Sequence, residues 1–222
     1  ECKKIKIVVC NVPSYGENTV AEHTFALLLS LSRKIYLCHE KRVHNDFSLD
    51  ELKGFDLKGK TIGVIGIGHI GKHVVKIARG FEMNVLAYSH TEDKNLAREL
   101  GFKYVSMKEL LKKSDIITLH VPYTKENHHM IGKKEFAMMK KGVILLNTSR
   151  GEIVDTAALN AALEAGKLSG AGLDVLEGEE LIKEERELLN GAHGNISVMK
   201  QIATDHVLLS KGNVVFTPHI AF

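Results

Sequence analysis

The chain has 222 residues, of which 44% are hydrophobic and 26% charged, a composition typical of a soluble globular protein with a substantial core. Its net charge of +3 is too small to indicate a nucleic-acid-binding protein, which would show dense basic patches. The most apolar run, residues 25–31, is far shorter than the roughly 20 residues that a membrane span needs.

Short apolar runs alternate with longer amphipathic segments along almost the whole chain. Seven runs predict strands, at residues 5–10, 61–66, 84–88, 115–121, 142–147, 170–175 and 213–218. Seven segments predict helices, at residues 17–45, 69–81, 92–100, 106–113, 133–140, 155–165 and 179–191. The strands are apolar almost throughout, as parallel strands buried on both faces are. The alternation predicts an α/β fold, a doubly wound parallel sheet of the Rossmann type in three layers.

The predicted helix 17–45 has more apolar side chains than one core-facing stripe requires. The surplus could serve the core or a subunit interface, and we predict a homodimer that forms through this helix. The apolar positions are Val20, Phe25, Leu28, Leu29, Leu31 and Ile35. Residues 177–200, the most acidic and least strand-like region, are interpreted as an excursion between two strands.

The three cysteines, Cys2, Cys10 and Cys38, form no CxxC pair and are odd in number. This usage favours a reducing compartment over a disulfide framework. Together with the mild charge and the short apolar runs, it predicts a cytoplasmic protein that binds neither nucleic acid nor membranes.

The clearest motif is Gly66-x-Gly68-x-x-Gly71, which stands between a predicted strand and a predicted helix. Gly66 permits the tight turn, Gly68 lets a pyrophosphate approach the backbone, and Gly71 lets the helix pack against the strand. The helix N-terminus then offers free N–H groups and a positive dipole end to the anion. In this position the motif predicts a dinucleotide site, and a glycine-rich turn without a ligand is the alternative.

His69 and His73 have the spacing of two metal ligands on one helix face. Neither an acidic ligand nor an HExxH pattern accompanies them in the sequence. We therefore predict no metal site here and expect exposed or phosphate-adjacent histidines.

Three predicted strands are followed by polar residues that could do chemistry: Arg150, Glu179 and His219. Because the carboxyl ends of parallel strands line the ligand crevice of an open sheet, the three could share one site. An arginine would bind a carboxylate, a histidine would transfer a proton, and a neighbouring glutamate would favour the imidazolium. Each also has a plainer interpretation, as a surface arginine, a helix acid and a turn histidine.

Together these motifs resemble the D-isomer-specific 2-hydroxyacid dehydrogenases. The resemblance covers nearly the whole chain, through NVPSYGENTVAEHTFALLL, TIGVIGIGHIGK, DIITLHVPYTKENHHMI, LLNTSRGEIVDTAAL, GAGLDV and TPHIAF. HVPYTKENHHMI and the aromatic end of PHIAF look most like the D-lactate dehydrogenase branch. The resemblance implies hydride transfer between NAD(P)H and a small 2-oxo acid, with pyruvate favoured.

The resemblance also implies roles for individual residues. Arg150 would bind the substrate carboxylate and carbonyl, and Glu179 would pair with the acid/base His219. Three groups of residues would surround the cofactor: His69 and Ile70 at the pyrophosphate, Val121, Pro122 and Asn127 at the adenosine half, and Thr148, Ser149 and Asp174 near the nicotinamide.

Ser89 departs from the family pattern, since it occupies the strand end where such folds usually place an acid for the ribose hydroxyls. Without that acid the extra phosphate of NADP is not repelled, and His90 or Thr91 could contact it. No arginine follows to bind the phosphate in a bidentate way. We predict NAD as the cofactor, with NADP also accepted.

Family members cross twice between a substrate domain and a cofactor domain, and these crossings resemble residues 11–13 and 219–222. We predict a remnant of the substrate-domain edge and the first hinge at 1–13, the dinucleotide-binding domain at 14–218, and the second hinge at 219–222. Such a domain alone is expected to bind cofactor weakly and to turn over little substrate.

Two other classes of function stay open at this point. Hydroxypyruvate, glyoxylate and phosphoglycerate reductases use the same scaffold, and a panel of 2-oxo acids would separate them. A fold does not fix a function, so a non-catalytic NADH-sensing corepressor is also an alternative. Cofactor binding without oxidation of NADH by any 2-oxo acid would indicate such a sensor.

Overall fold

In the computed structural model of the chain, the described residues are Val8, Cys10, 16–179 and 196–222. Seven parallel strands form one sheet in the order β3-β2-β1-β4-β5-β6-β7. The strands are β1 (Thr61–Ile65), β2 (Asn84–Tyr88), β3 (Lys103–Tyr104), β4 (Ile116–Leu119), β5 (Val143–Asn147), β6 (Leu168–Leu173) and β7 (Val214–Phe216). The strand order reverses between β1 and β4, which opens a crevice at the carboxyl ends of these strands.

Helices cover both faces of the sheet, which confirms the predicted three-layer α/β fold. They are α1 (Glu17–Arg33), α2 (Ile35–Val43), α3 (His69–Gly80), α4 (Lys94–Leu100), α5 (Met107–Lys113), α6 (Lys133–Met138), α7 (Thr156–Glu164) and α8 (Ile196–Leu209). Among the described helices, none combines the length and the apolar character needed to cross a bilayer.

The core consists of two apolar layers, one on each face of the sheet. Strand β5 supplies both: Ile144 and Leu146 pack in the cluster of α1 and α3, whereas Val143 and Leu145 pack in the cluster of α5 to α8. Successive side chains of a strand point to opposite faces, so a strand buried on both faces must be apolar throughout. This requirement explains the unbroken apolar runs in the sequence.

Side-chain caps fix where several helices begin. One carboxylate oxygen of Asp93 accepts hydrogen bonds from the N–H groups of Asn95 and Leu96, 3.0 Å each, at the start of α4. Ser106 and Asp155 cap α5 and α7 in the same way. Such caps satisfy N–H groups that have no partner within the helix. They also place the strand-to-helix loops, where the site lies.

The predicted helix 17–45 is wrong as one continuous element. It breaks at Lys34, whose φ of 57° is left-handed, into α1 and α2. Four of its apolar residues (Val20, Phe25, Leu28 and Leu31) are buried in α1, whereas Ile35 on α2 is 59% exposed. The apolar surplus therefore serves mainly the core.

Two elements were not predicted from the sequence. Strand β3 has only two residues, too few to show a pattern, and α8 begins inside the region interpreted as an excursion between strands. The predicted strand 5–10, apart from Val8 and Cys10, lies outside the described residues. The same holds for the first hinge at 11–13 and for the predicted helix 179–191 beyond Glu179.

Candidate functional site

The glycine motif forms the turn from β1 into α3. Gly66 has φ +99°, and a Cβ there would lie 2.3 Å from the carbonyl oxygen of His120. A Cβ at Gly71 would lie 2.1 Å from the carbonyl oxygen of Gly66, so the helix start could not approach the strand. At Gly68, by contrast, no described atom lies within 4 Å of the Cβ position. The first and third glycines are therefore required by the fold, and the second borders open space at a helix N-terminus.

This difference leads to a testable prediction. Gly68→Ala should leave the thermal unfolding temperature unchanged and raise the Kd for NADH about tenfold, because the methyl group occupies the space that a pyrophosphate would use. Gly71→Ala is the matched control. It should lower the unfolding temperature by about 5 °C, since the clash is with backbone. Fluorescence titration with NADH and thermal melts of both variants test this, and normal NADH affinity in Gly68→Ala would contradict it.

Two large cavities meet at the glycine turn. One, the Arg150 cavity, has a volume of about 680 Å³ and lies at the ends of β5, β6 and β7. The other, the Ser89 cavity, has a volume of about 700 Å³ and lies between the ends of β1, β2 and β4. They share a wall of four residues, Gly68, His120, Val121 and Pro122. Together they form a continuous bipartite crevice at the point where the strand order reverses.

The Ser89 cavity contains the residues that the sequence assigned to an adenosine half. Ser89, His90 and Thr91 follow β2 and line one side, and Asn127 lines another. The Asn127 side chain accepts a hydrogen bond from Thr124 N–H and donates one to the carbonyl of Pro122, both 2.8 Å long. Asn127 therefore shapes the loop that carries the shared wall.

Three charged residues of the Ser89 cavity escaped the sequence analysis, namely Lys72, Asp93 and Glu126. Lys72, in the first turn of α3 behind the glycine motif, lines this cavity together with Ser89 and Thr91. The carboxylate of Asp93 also borders the cavity, but it is bound to the start of α4. The wall beside Ser89 thus carries the cation Lys72, together with an acid of which one carboxylate oxygen is bound to backbone N–H groups.

The Arg150 cavity contains the residues assigned to the nicotinamide half and to chemistry. Its lining includes Thr148, Ser149, Arg150, Asp174 and His219, together with His69 and Ile70 from the glycine turn. Ser149 Oγ donates to the carbonyl of Leu119 at 2.5 Å, and Arg150 Nη1 donates to the carbonyl of Ser149 at 2.6 Å. Arg150 is exposed and keeps further guanidinium N–H groups for a ligand.

Glu179 and His219 are paired, as the sequence analysis proposed. His219 Nδ1 lies 2.6 Å from Glu179 Oε1, and both residues line a smaller pocket of about 330 Å³ that also contacts Arg150. His219 has a left-handed φ of 56°, which is rare outside glycine. Arg150, Glu179 and His219 are therefore brought to one edge of the sheet, although Glu179 is 29 positions from Arg150 and 40 from His219 in the chain.

A second histidine of this cavity has a different character. Burial lowers the pKa of His120 to about 3, and its Nε2 lies 2.8 Å from Thr118 Oγ1. His120 is therefore neutral near pH 7 and cannot supply a proton there. His219, by contrast, lies against the carboxylate of Glu179.

Comparison with known proteins identifies the family. The pattern of the family described as "D-isomer specific 2-hydroxyacid dehydrogenase, NAD binding domain" matches residues 25–221. The chain belongs to this family. The match confirms the resemblance seen in the sequence motifs and makes the bipartite crevice a candidate NAD site.

Individual 2-hydroxyacid dehydrogenases agree with this assignment. A 2-hydroxyacid dehydrogenase homolog from Zymomonas mobilis is 42% identical over 221 residues, which are 99% of this chain and 64% of that protein. A glyoxylate reductase from Thermococcus litoralis is 44% identical over 192 residues, 83% of this chain and 58% of that protein. The crystal structure of D-lactate dehydrogenase from Aquifex aeolicus complexed with NAD and lactic acid has a TM-score of 0.86 and 43% identity, and the match covers 100% of this chain and 65% of that one. The chain thus spans less than two-thirds of the length of each of these proteins.

The 2-hydroxyacid dehydrogenase motifs did not reveal two contacts around the crevice. Glu17, the first residue of α1, lies with its Oε1 3.2 Å from His69 Nδ1, and both line the Arg150 cavity. His23, one turn and a half further along α1, contacts Asp174 and Thr217. Both contacts join α1 to loops more than 40 residues away, so no local pattern predicts them.

A cluster of His128, His129 and Glu177 was also missed. One possible ligand atom from each lies within 4.8 Å of the others. His129 Nε2 is 2.7 Å from Glu177 Oε1, but the rings of His128 and His129 are stacked, with centroids 3.9 Å apart and planes 21° apart. A histidine binds a metal in its ring plane, so two stacked rings cannot both direct a nitrogen at one ion. As arranged, the cluster is a hydrogen-bonded contact between the loops after β4 and β6.

Proposed function

We propose that the chain is the cofactor-binding and catalytic part of an NAD-dependent D-2-hydroxyacid dehydrogenase, with pyruvate and D-lactate as the favoured pair. The observation that carries the proposal is the His219–Glu179 pair beside Arg150, at the cavity that adjoins the glycine turn. This combination provides a proton donor and a carboxylate-binding group at the candidate nicotinamide end of the crevice.

The residues of the crevice fit a dinucleotide. The open space at Gly68 and the N-terminus of α3 would accept the pyrophosphate, and the two cavities would hold the adenosine and nicotinamide halves. NADH bound in this way would supply a hydride to C2 of the 2-oxo acid.

The chain's own residues would perform the remaining steps. Arg150 binds the substrate carboxylate and polarises the carbonyl oxygen. Glu179 accepts a hydrogen bond from Nδ1 of His219, which leaves Nε2 as the nitrogen that gives its proton to the carbonyl oxygen. In the reverse direction His219 takes that proton back from the hydroxyl group.

The decisive experiment is an activity assay of the full-length protein with NADH and a panel of 2-oxo acids. The panel contains pyruvate, glyoxylate, hydroxypyruvate and 3-phosphohydroxypyruvate. The second candidate, a glyoxylate reductase, is supported by the Thermococcus relative, which is as similar as the D-lactate dehydrogenase structure is. Turnover of glyoxylate above pyruvate favours that candidate, and NADH binding without oxidation by any acid indicates a sensor.

We also propose that residues 14–218 form the dinucleotide-binding domain, that residues 1–13 are a remnant of the substrate-domain edge and the first hinge, and that residues 219–222 belong to the second hinge. The greater length of the relatives supports this division, since part of each relative has no counterpart in this chain. The 222-residue chain alone is then expected to bind NADH weakly and to reduce pyruvate little or not at all. Fast pyruvate reduction by the isolated chain would refute this division.

We propose NAD as the cofactor with NADP also accepted, because Ser89 carries no charge and Lys72 lines the same cavity. Ser89→Asp should raise the preference for NAD over NADP about tenfold, because the carboxylate binds the ribose hydroxyls and repels a 2′-phosphate. Ser89→Asn, which is neutral and of the same size as aspartate, serves as the control and should leave the ratio within twofold. The ratio is measured as kcat/KM for NADH over NADPH. Equal ratios in both variants would mean that position 89 does not contact the ribose.

Two further properties are proposed for the full-length protein. A homodimer is supported by exposed apolar side chains on and after α2, namely Ile35, Val43, Phe47 and Leu49, which are 56–84% exposed. Light scattering measures the mass and tests it. The free, exposed thiols of Cys10 and Cys38 support a cytoplasmic location, where thiols stay reduced.

A further inference from the structure

His23 on α1 contacts the segment that carries His219. Its Nε2 lies 2.9 Å from Thr217 Oγ1 and 3.3 Å from Asp174 Oδ1, and its side chain is only 18% exposed. Thr217 is two residues before His219, and Asp174 is almost fully buried. A residue from the first helix thus reaches the end of the last strand.

The hydrogen-bond directions around Thr217 show which ring nitrogen of His23 carries a hydrogen. Thr217 Oγ1 donates its single hydrogen to Asp174 Oδ1 at 2.5 Å. Towards His23 the hydroxyl oxygen can then only accept, so Nε2 of His23 must carry a hydrogen. His23 is therefore a donor shared by Thr217 and Asp174, and it closes a ring of three side chains.

Asp174 is the centre of the contacts that shape the backbone at His219. Its carboxylate accepts hydrogen bonds from the N–H groups of Ile220 and Ala221, both at 3.0 Å, and its carbonyl accepts one from the N–H of His219 at 2.8 Å. These bonds hold His219 in its left-handed conformation, which the surrounding structure must stabilise because it is unfavourable for histidine. Asp174 therefore sets the backbone conformation from which the imidazole of His219 extends, and Glu179 contacts the Nδ1 atom of that ring.

We propose that His23 is a positioning residue for the proton-transfer step: through Thr217 and Asp174 it keeps His219 aimed into the Arg150 cavity. This inference rests on the proposed function of His219. His23 itself is absent from the walls of the Arg150 cavity, so it acts through its neighbours and not on the substrate.

Two variants of the full-length protein test the inference. In His23→Gln the amide nitrogen can reach the place of Nε2 and donate to Thr217, whereas the shorter side chain of His23→Asn cannot. We expect His23→Asn to lower kcat for 2-oxo acid reduction about tenfold, with the KM for NADH within about twofold of wild type. We expect His23→Gln to retain at least about half of the wild-type kcat. His206→Asn, at an exposed position of α8, is the matched control and should have no effect.

A second measurement does not depend on turnover. Hydrogen exchange of the Ile220 and Ala221 amides should accelerate in His23→Asn and stay slow in His23→Gln, because these amides donate to Asp174. Equal kcat and equal exchange in the two variants would overturn the inference. If none of the 2-oxo acids supports oxidation of NADH by the wild-type protein, the proposed function fails. The exchange data still decide whether His23 orders this segment.

Discussion

Replacing His219 by asparagine in the full-length protein is expected to lower kcat for 2-oxo acid reduction about 10³-fold and to leave the Kd for NADH within about twofold. Asparagine cannot give up a proton near neutral pH, yet it tolerates the left-handed backbone at this position better than most residues do. The loss is therefore chemical and not a consequence of a distorted segment. Steady-state kinetics and NADH fluorescence titration provide the two numbers.

A companion variant separates the chemistry from the backbone conformation. His219→Ala should lose as much activity as His219→Asn. It should unfold at a lower temperature than His219→Asn, because the left-handed conformation is less favourable for alanine than for asparagine. His206→Asn at an exposed position of α8 should behave like wild type in both assays. A His219→Asn protein with wild-type kcat would remove His219 from the mechanism and leave the cavity without a proton donor of this kind.

Arg150→Lys should lower kcat/KM for pyruvate about 10²-fold, and most of the loss should be a rise in the KM for pyruvate. Lysine keeps the charge, but it cannot offer the planar pair of N–H groups that a carboxylate accepts. One guanidinium N–H of Arg150 is already used by the carbonyl of Ser149, which fixes the side chain before a substrate arrives. A shorter and more flexible amine loses this orientation as well.

The control for this substitution is Arg33→Lys. Arg33 is an exposed arginine at the end of α1 that pairs with the exposed Asp56, and neither residue lines the two cavities of the crevice. It should leave both kcat and KM unchanged, as expected for a surface pair of little energetic weight. The NADH Kd of Arg150→Lys should also stay near wild type. An unchanged kcat/KM in Arg150→Lys would show that the substrate carboxylate binds elsewhere.

The layered fold could be predicted because parallel strands have to be apolar on both faces. Strand β5 shows this directly, since all five of its residues are buried and the sequence there is a continuous apolar run that ends in Asn147. The break between α1 and α2 could not be predicted, because lysine has no special preference for the left-handed conformation that Lys34 adopts. Strand β3 escaped because two residues cannot display a period.

The candidate site could be predicted where function depends on local sequence. The glycine turn is encoded in six consecutive residues, and Arg150, Glu179 and His219 each stand close behind an apolar strand. The contact of Glu17 with His69 joins residues 52 positions apart. The contacts of His23 with Asp174 and with Thr217 join residues 151 and 194 positions apart. Such pairs depend on how α1 packs across the sheet, and that packing leaves no spacing in the sequence. Lys72 was missed for a related reason, since only the structure shows which cavity a helix residue faces.

The division of the crevice into two cavities has a consequence for ligand design. Under the proposed function the dinucleotide is a bivalent ligand in thermodynamic terms, whose halves would occupy separate cavities of about 700 and 680 Å³ that share the wall at Gly68, His120, Val121 and Pro122. Once one half is bound, the linker sets the effective concentration of the other half at its own cavity. The affinity of the joined ligand therefore exceeds that of either fragment. A nucleotide fragment for the Ser89 cavity, joined by a linker of pyrophosphate length to a carboxylic acid for the Arg150 cavity, should therefore compete with cofactor and substrate at once.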